Sequence, residues 1–517
     1  MKTFLEKLLN YYKISHDDYE LLIKNTSNIS LKDPSSFLGI KNSVNRIKRA
    51  IKNNEKVIVY GDYDCDGICA TSIMIKTFKM LNYDVSYYIP SRYIDGYGLN
   101  ITNVKKIAEK GYKLIICVDN GISANEAIEK AKEFGIDVIV VDHHEVPNVL
   151  PNAYSIIHPT VSKVSNIIAS GSYMALFLSR ALLNRYDDYL ILLAGLSTIS
   201  DLMELKDYNR DVVLLAIKNL NNYKYRTFLE LINGSIFNEK TLAIEVAPKI
   251  NAVGRMIEDT SVNKLVQYLI SEDEKEIYDL SIWINEINEQ RKTATKEAIE
   301  NISDVEHSDS ICILSNVKEG LIGLLSNRLM NEYNVPSIVF TQDNKDTNIL
   351  KGSIRSKEGF NVIDAFKHLK KYILNGGGHA QAGGLSIRKS DFISFTNDFK
   401  EYAKLHPFKE DIKKDYIEIS LSDINIKNYE ILRSFAPFGI GNNEPEFVIY
   451  NLPTKGLKFV SNGKHLMTPL SLTTKLLGFN MDEKNVKKNE TIDVFGTLNI
   501  SEFRRMTSIE FRINKFE

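Results

Sequence analysis

The chain of 517 residues, 44% hydrophobic and 25% charged, has the composition of globular protein and the length for roughly two to four domains, each with its own core. A formal net charge of −1 excludes a protein that coats nucleic acid by bulk electrostatics, while leaving room for a local groove. No run of about eighteen apolar residues occurs, and the N-terminal Met1-Lys2-Thr3-Phe4-Leu5-Glu6-Lys7 carries an acid where a signal peptide needs an apolar core; a cytoplasmic protein without a membrane partner is expected.

Residues 1–53 read as a helical segment. It closes in an amphipathic helix that turns Val44, Ile47, Ala50 and Ile51 inward and Arg46, Lys48, Arg49 and Lys52 outward. A β-branched run over 56–60 then predicts a buried strand. Gly61 and Gly67 bracket Asp62, Asp64 and Asp66, and a helix is expected over 70–81. In an extended segment alternate residues share a face, so the three carboxylates would converge and require cations; hard divalent ions such as Mg2+ or Mn2+ suit oxygen ligands. The alternative is a solvated acidic turn. Cys65 lies inside this turn, where a soft metal ligand is conceivable but a small buried side chain is the expectation. With Cys69, Cys117 and Cys312 it shows no zinc-type pairing and fits reduced thiols.

Strand and helix then alternate. A strand over 84–90 leads to Ser91-Arg92-Tyr93 and the loop Asp95-Gly96-Tyr97-Gly98. A helix over 101–110 precedes a strand over 113–118 that delivers Asp119-Asn120-Gly121. After a helix over 124–134, a strand over 137–141 ends in Asp142-His143-His144-Glu145. Near-continuous apolar strands separated by helices predict a parallel sheet covered on both faces, and ligands of such sheets bind beyond the strands' carboxyl ends. Helices over 170–184 and 189–199 follow, the second ending in Ser200-Asp201, where an ordinary solvated aspartate is the alternative to a fourth acidic ligand. Asn251-Ala252-Val253-Gly254-Arg255-Met256 reads as a small-residue turn presenting Arg255. A charged helix over 271–304 reads as an interdomain connector.

The second half restarts as α/β, with strands over 310–314, 337–340 and 350–355, the last carrying Ser353 and Arg355 to its end. Asn375-Gly376-Gly377-Gly378-His379-Ala380-Gln381-Ala382-Gly383-Gly384 reads as a glycine-rich loop whose backbone could cradle phosphate, a plain connecting loop being the alternative. Short β segments after Gly441 suit a small OB-type barrel, and residues 451–517 hold eleven Lys or Arg against seven Asp or Glu. The fold class expected is α/β: two α/β domains joined by a long helix, plus a C-terminal OB-type β-barrel. The division expected is 1–53, 54–270, 271–305, 306–405 and 406–517.

G-D-Y-D-C-D-G at 61–67, D-N-G at 119–121, D-H-H at 142–144 and S-D-L-M at 200–203 resemble the four motifs of the DHH phosphoesterases. G-G-G-H-A-Q-A-G-G resembles the signature of their associated second domain, and S-R-Y-I-D-G-Y-G-L, I-N-A-V-G-R-M, S-I-R-S and P-F-G-I-G-N resemble the bacterial single-strand-specific 5′ exonucleases of that superfamily. The resemblance implies two divalent ions, Mn2+ or Mg2+, held by Asp64, Asp66, Asp119, His143 and Asp201, with Asp119 bridging and Asp62 in or near the set. It implies that His144 faces the scissile phosphate, that Asp142 orients an imidazole, and that Arg92, Arg255, Ser353, Arg355, Gly377, Gly378 and His379 hold substrate phosphates.

The implied activity is degradation of single-stranded DNA from the 5′ end to mononucleotides in repair and recombination. A single-strand-binding protein and a RecQ-type helicase are the implied partners of a monomer. A DHH-type oligonucleotide or cyclic-dinucleotide phosphodiesterase and an inactive single-strand-binding scaffold are the alternatives. Two departures stand out: Tyr60 occupies the place of a histidine able to ligate the first metal in some relatives, and Ser172-Tyr173 replaces a smaller pair.

Overall fold

Five short strands, β1 (Val57–Tyr60), β2 (Ser86–Tyr88), β3 (Leu114–Val118), β4 (Asp137–Val141) and β5 (Ser155–Ile157), form an all-parallel sheet in the order β2-β1-β3-β4-β5 in the computed structural model. The structure describes residues 2–27, 29–164, 168–300, 302, 309–409, 415–503 and 506–517. Successive side chains of a strand point to opposite faces, so each strand feeds two cores. Val57, Val59, Ile116, Ile139 and Val141 face one core with the helices Cys65–Met80, Gly171–Leu183 and Asp188–Ser200. Ile58, Tyr60, Ile115, Cys117 and Val140 face the other, under the helices Ile101–Glu109 and Asn125–Glu133. The carboxyl ends of β1, β3 and β4 therefore lie side by side.

Three local expectations are corrected. The helix after β1 begins at Cys65, not at 70, because Asp64 caps it by accepting from the amides of Asp66 and Gly67; the aspartates are brought together by a helix N-terminus rather than by an extended run. Residues 251–256 belong to a helix, Ala247–Met256, not a turn. Their small size serves packing, since a Cβ on Gly254 would lie 2.2 Å from the Tyr63 carbonyl oxygen. Arg46 faces inward from the helix Ile40–Lys52, buried against Glu55 at 2.7 Å and Asp137 at 2.5 Å and donating to the Lys113 carbonyl. A cation can enter that core only because two carboxylates balance it.

The helix Glu274–Glu300 joins this unit to the second sheet; the expected end of the connector, at Asp304, lies outside the described residues. Strands β6 (Ile311–Leu314), β7 (Ser337–Gln342), β8 (Ile349–Arg355), β9 (Ile373–His379) and β10 (Ala382–Arg388) run in the order β6-β7-β8-β10-β9, all antiparallel except β6 with β7. The glycine-rich segment is thus not a loop but the edge hairpin β9–β10. Its glycines allow close packing: a Cβ on Gly378 would lie 2.3 Å from the Ala382 carbonyl oxygen, and one on Gly383 2.9 Å from Val362.

The C-terminal strands β11 (Ile417–Glu418), β12 (Phe447–Pro453), β13 (Phe459–Val460), β14 (His465–Pro469), β15 (Thr474–Gly478), β16 (Thr491–Phe503) and β17 (Met506–Phe516) form a seven-stranded sheet in the order β11-β12-β16-β17-β15-β14-β13. Phe447, Leu466, Leu476, Val494, Leu498 and Phe511 fill its core. The helices Phe4–Tyr12 and His16–Ser27 join this core: Phe4 stacks on Phe447 at 5.7 Å, and Tyr12 and Tyr19 stack on Phe435 at 4.8 and 5.2 Å. The N-terminal helical segment is therefore shared, its first two helices packing with the C-terminal domain and its third with the first sheet. Among the described residues no helix is long and apolar enough to cross a membrane.

Candidate metal centre and phosphate pocket

Asp62 and Asp64 at the end of β1, Asp119 after β3, Asp142, His143 and His144 after β4, and Asp201 at the end of the helix Asp188–Ser200 converge on one side of the sheet. Ligand atoms of Asp62, Asp64 and Asp119 lie within 4.8 Å of one another, as do those of Asp66, His143 and Asp201. His143 Nε2 links the two groups, 3.2 Å from Asp119 Oδ1, 3.6 Å from Asp66 Oδ2 and 3.5 Å from Asp201 Oδ2. The structure thus sets Asp62 beside Asp64 and Asp119, and Asp66 in the other group.

Several of these side chains already have fixed roles. Asp66 caps the helix Gly171–Leu183, accepting at 2.7 Å from the amides of both Gly171 and Ser172, while the Ser172 hydroxyl donates to the Asp66 carbonyl. Ser172 therefore serves the site, and Tyr173 beside it is simply core, stacked on Phe177. Only glycine fits at 171, where a Cβ would lie 2.5 Å from Asp119 Oδ1. Asp119 itself has φ +61°, a left-handed conformation that aspartate tolerates better than most residues.

The carboxylates are not balanced by the cations near them, His144 and Arg92. Asp62 Oδ1, Asp119 Oδ1 and Asp201 Oδ2 are buried without a hydrogen bond among the described residues. Burial first, and then neighbouring carboxylates, push Asp62, Asp119 and Asp201 well above the usual aspartate range, and Asp64 rises for the same reasons. Burial also holds His143 below the usual imidazole value, which keeps its lone pair free. Orphaned carboxylate oxygens around a neutral imidazole are the donor set that divalent Mn2+ or Mg2+ takes, so the residues fit the ions that the motifs imply.

His144 behaves in the opposite way. Burial disfavours its charge, but the hydrogen bond and charge of Asp142 outweigh burial and raise it to about 9. Asp142 Oδ1 lies 2.8 Å from His144 Nδ1, and the Tyr97 hydroxyl lies 3.3 Å from His144 Nε2. Asp142 also accepts from the amides of Ile122 and His143, and its carboxyl stays far below the ordinary range despite burial. The imidazole that Asp142 orients is therefore that of His144, and His143 is free of it. His158, a residue that sequence reasoning missed, donates from Nε2 to the His144 carbonyl at 2.8 Å and accepts from Thr160 at Nδ1.

Tyr60 does not reach the metal side. It is buried in the opposite core, accepting from Asn103 and donating to the Gly98 carbonyl, so it supports the loop that carries Arg92 and Tyr97. Asn251 was also missed as a functional residue. It accepts from the Cys65 amide and donates to Ser200, tying the aspartate turn to the helix that ends at Asp201. Its place in the I-N-A-V-G-R run was the available signal.

Beside the carboxylates, between the two sheets, a cavity of about 410 Å³ is lined by Arg92, Arg255, Ser353, Arg355, Gly376 and Gly377, among others. Arg92 lies over the Tyr63 ring at 4.2 Å, Arg255 donates to the Gly320 carbonyl, and Arg355 donates to Ser353 and to the Ile354 carbonyl. Burial, with Arg92 nearby, lowers Arg255 to about 10. Three guanidiniums in one concavity make a site for phosphate. Gly378 and His379 do not line it; His379 is exposed at the tip of β9.

A parallel sheet whose strand ends carry an aspartate–histidine cluster, linked by a helix to a second domain that supplies arginine, is the architecture of a DHH phosphoesterase. The model described as "DHH family, N-terminal domain" matches residues 56–199, and the "DHHA1 domain" matches residues 309–405. Residues 56–199 and 309–405 of this chain are thus similar to the two domains of the DHH phosphoesterases. Among these the chain is similar to RecJ: the "RecJ OB domain" matches residues 417–515. The single-stranded-DNA-specific exonuclease RecJ of Bacillus subtilis is 31% identical over 504 residues, covering 93% of this chain and 64% of the relative. That of Salmonella typhimurium is 28% identical, covering 92% of this chain and 90% of the relative. The chain thus spans about two-thirds of the Bacillus subtilis protein's length and most of the Salmonella typhimurium protein's. Among solved structures, RecJ of Thermus thermophilus in complex with Mn2+ superposes with a TM-score of 0.81 at 22% identity, covering 95% of this chain and 72% of that one, and its complex with Mg2+ does so with 0.75.

Proposed function

We propose that this chain is a metal-dependent exonuclease that degrades single-stranded DNA from its 5′ end to mononucleotides, serving repair and recombination in the cytoplasm. The observation that carries the reading is the juxtaposition of two sites of opposite charge. A carboxylate–histidine cluster built for divalent cations adjoins an arginine pocket built for phosphate, and the Ala247–Met256 helix packs against the aspartate turn through Gly254 just before Arg255 enters that pocket. A strand whose terminal phosphate sits in the pocket would present its next phosphodiester to the cluster. The 5′ polarity rests on the resemblance to 5′ exonucleases.

Asp62, Asp64, Asp66, Asp119, His143 and Asp201 would hold two ions, Mn2+ or Mg2+, which when bound supply Lewis acidity and charge neutralisation for transfer of the phosphoryl group to water. Arg92, Arg255 and Arg355, with Ser353 and the Gly377 backbone, bind the flanking phosphate and fix the register of cleavage. His144, charged at neutral pH through Asp142, points a proton at a phosphoryl oxygen and offsets the charge that grows there. The C-terminal domain, with a single-strand-binding protein and a RecQ-type helicase as partners, would retain the trailing strand of a substrate engaged by one monomer.

Degradation of one oligonucleotide labelled at the 5′ or the 3′ end, with Mn2+, Mg2+ or chelator, tests the reading. Labelled mononucleotide should appear at the earliest times from the 5′ label, the 3′ label should give a descending ladder, and duplex and chelated samples should remain intact. A descending ladder from the 5′ label, or hydrolysis confined to dinucleotides, would refute it. Binding without cleavage in every metal would support a scaffold instead.

A further inference from the structure

The helix Asp188–Ser200 ends at the metal centre in a way that folding alone does not explain. The Leu202 amide donates to the Ile199 carbonyl and the Met203 amide to the Thr198 carbonyl. This is the pattern of a Schellman cap, whose turning residue takes a left-handed conformation and is usually glycine. Here it is Leu202, with φ +55°. Leucine is strained in that region by contact between its Cβ and the backbone, and burial of the side chain could offset the strain. It does not, because Leu202 is 70% exposed.

The strained residue is also held in place. Its neighbour Asp201 caps the helix end through an amide bonded to the Ser197 carbonyl and extends its carboxylate to within 3.5 Å of His143. Three residues later, the Leu205 amide donates at 2.7 Å to the Ile440 carbonyl of the C-terminal domain, and Gly441, at φ +77°, fits against Glu204 only because it lacks a Cβ. Leu202 is thus an apolar side chain fixed at both flanks, next in sequence to a carboxylate of the metal centre and facing solvent. A left-handed leucine kept exposed beside a reacting centre is a strained residue of the kind retained for a ligand rather than for the fold.

We infer that Leu202 packs against the nucleobase of the nucleotide at the scissile phosphate and so sets that nucleotide's position. The inference rests on the proposed nuclease reading, which supplies a substrate that is polyanionic along one edge and flat and apolar along the other. The arginines and the metal centre account for the phosphate edge, and Leu202 supplies the apolar contact that the base edge would otherwise lack. In a single strand the base faces are open, so an aliphatic side chain can cover one without reading its hydrogen-bonding edge.

Steady-state hydrolysis of a single-stranded oligonucleotide, intact or abasic at the nucleotide whose phosphate is cut first, tests this in the wild type, Leu202→Gly and Leu202→Met. Leu202→Gly should melt at an unchanged or higher temperature and raise KM on the intact strand by roughly tenfold. Leu202→Met should keep wild-type KM, and the Mn2+ concentration for half-maximal activity should stay constant throughout. The abasic lesion should raise KM for the wild type and leave Leu202→Gly unaffected. An equal penalty for Leu202→Gly on both substrates, an unchanged KM, or a shifted Mn2+ requirement would overturn the contact. If the wild type leaves the intact strand uncut, the nuclease reading itself falls, and the inference with it.

Discussion

Two buried acidic sites in this chain have opposite fates. Where the C-terminal domain meets the first domain, Glu239 is buried, yet its carboxyl lies below the ordinary range. Burial works against the charge, but Arg433 meets it with two bonds of 2.6 Å and outweighs burial. At the metal centre Asp62 and Asp119 are buried as deeply and Asp201 is half-buried, and all three lie well above the range, because burial and then the neighbouring carboxylates disfavour their charge. An interface that only has to hold can be neutralised within the chain. A site that must bind a cation cannot be, and part of the fold's stability is given up there until the ion arrives.

The largest expected effect comes from breaking the unbalanced side of this comparison. Asp119→Asn should abolish hydrolysis of single-stranded DNA while the metal-free protein melts no lower than wild type. The raised carboxyls give the sign: the folded, metal-free protein keeps protons that the unfolded chain has already lost, so stability declines as pH rises from about 4. Mn2+ should flatten that decline in the wild type, and Asp119→Asn should flatten it without metal. A metal-free melting profile identical to wild type across pH would show that the cluster is not repulsive.

Breaking the balanced side should unfold rather than inactivate. Glu239→Ala strands Arg433 and should cost about 3 kcal/mol in denaturant melts, with dinucleotide hydrolysis per folded molecule unchanged. The native pair contributes fully above the ordinary glutamate value of about 4.3 and is lost as pH falls through its lower folded value. The wild-type and variant stabilities should therefore converge in acid.

Asp142 sharpens the comparison from within the site, because its partner is a cation, His144. Asp142→Asn should lower the turnover rate roughly 10- to 100-fold, a modest loss for the support of a proton-holding group, with Mn2+ affinity unchanged because Asp142 holds the His143 amide and not its imidazole, and the asparagine oxygen can still accept from that amide. In the wild type the His144 contribution to stability is complete below about 6.5 and disappears as pH rises through about 9. A changed Mn2+ affinity in a metal titration would return Asp142 to the service of the ligand.

The smallest effect lies in the C-terminal sheet. Phe479 is 60% exposed and sits edge-on to His465 at 5.6 Å, whereas Phe495 and Phe511 are core and Phe459 is half-buried; the Phe503 side chain lies outside the described residues. Phe479→Ala should change stability by less than about 0.5 kcal/mol and weaken binding of a long single strand by about 1 kcal/mol if a base stacks there. An unchanged affinity would remove that face from the strand's path.

Much of the metal centre was legible in the chain itself, since apolar runs of strand length followed by Asp-Asn-Gly or Asp-His-His put polar groups at strand ends whatever the neighbours do. Periodicity located β1, β3 and β4 and the helices between them, and parallel strands put those ends together. Local sequence does not carry partnership across the chain. Arg46 lies on what reads as a polar helix face, and only the meeting of Glu55 and Asp137 makes its burial tolerable. The glycines of β9 and β10 read as a loop because glycine has weak strand preference, whereas close approach demanded it at Gly378, against the paired strand, and at Gly383, against Val362. Whether Asp66 caps a distant helix, which histidine Asp142 orients, and on which core Phe4 and Tyr12 pack are questions of proximity between segments up to hundreds of residues apart. Such contacts are specified by the packed whole, because a hydrogen bond or a buried ring is stabilised by the groups beside it in space, and those are chosen by the tertiary fold.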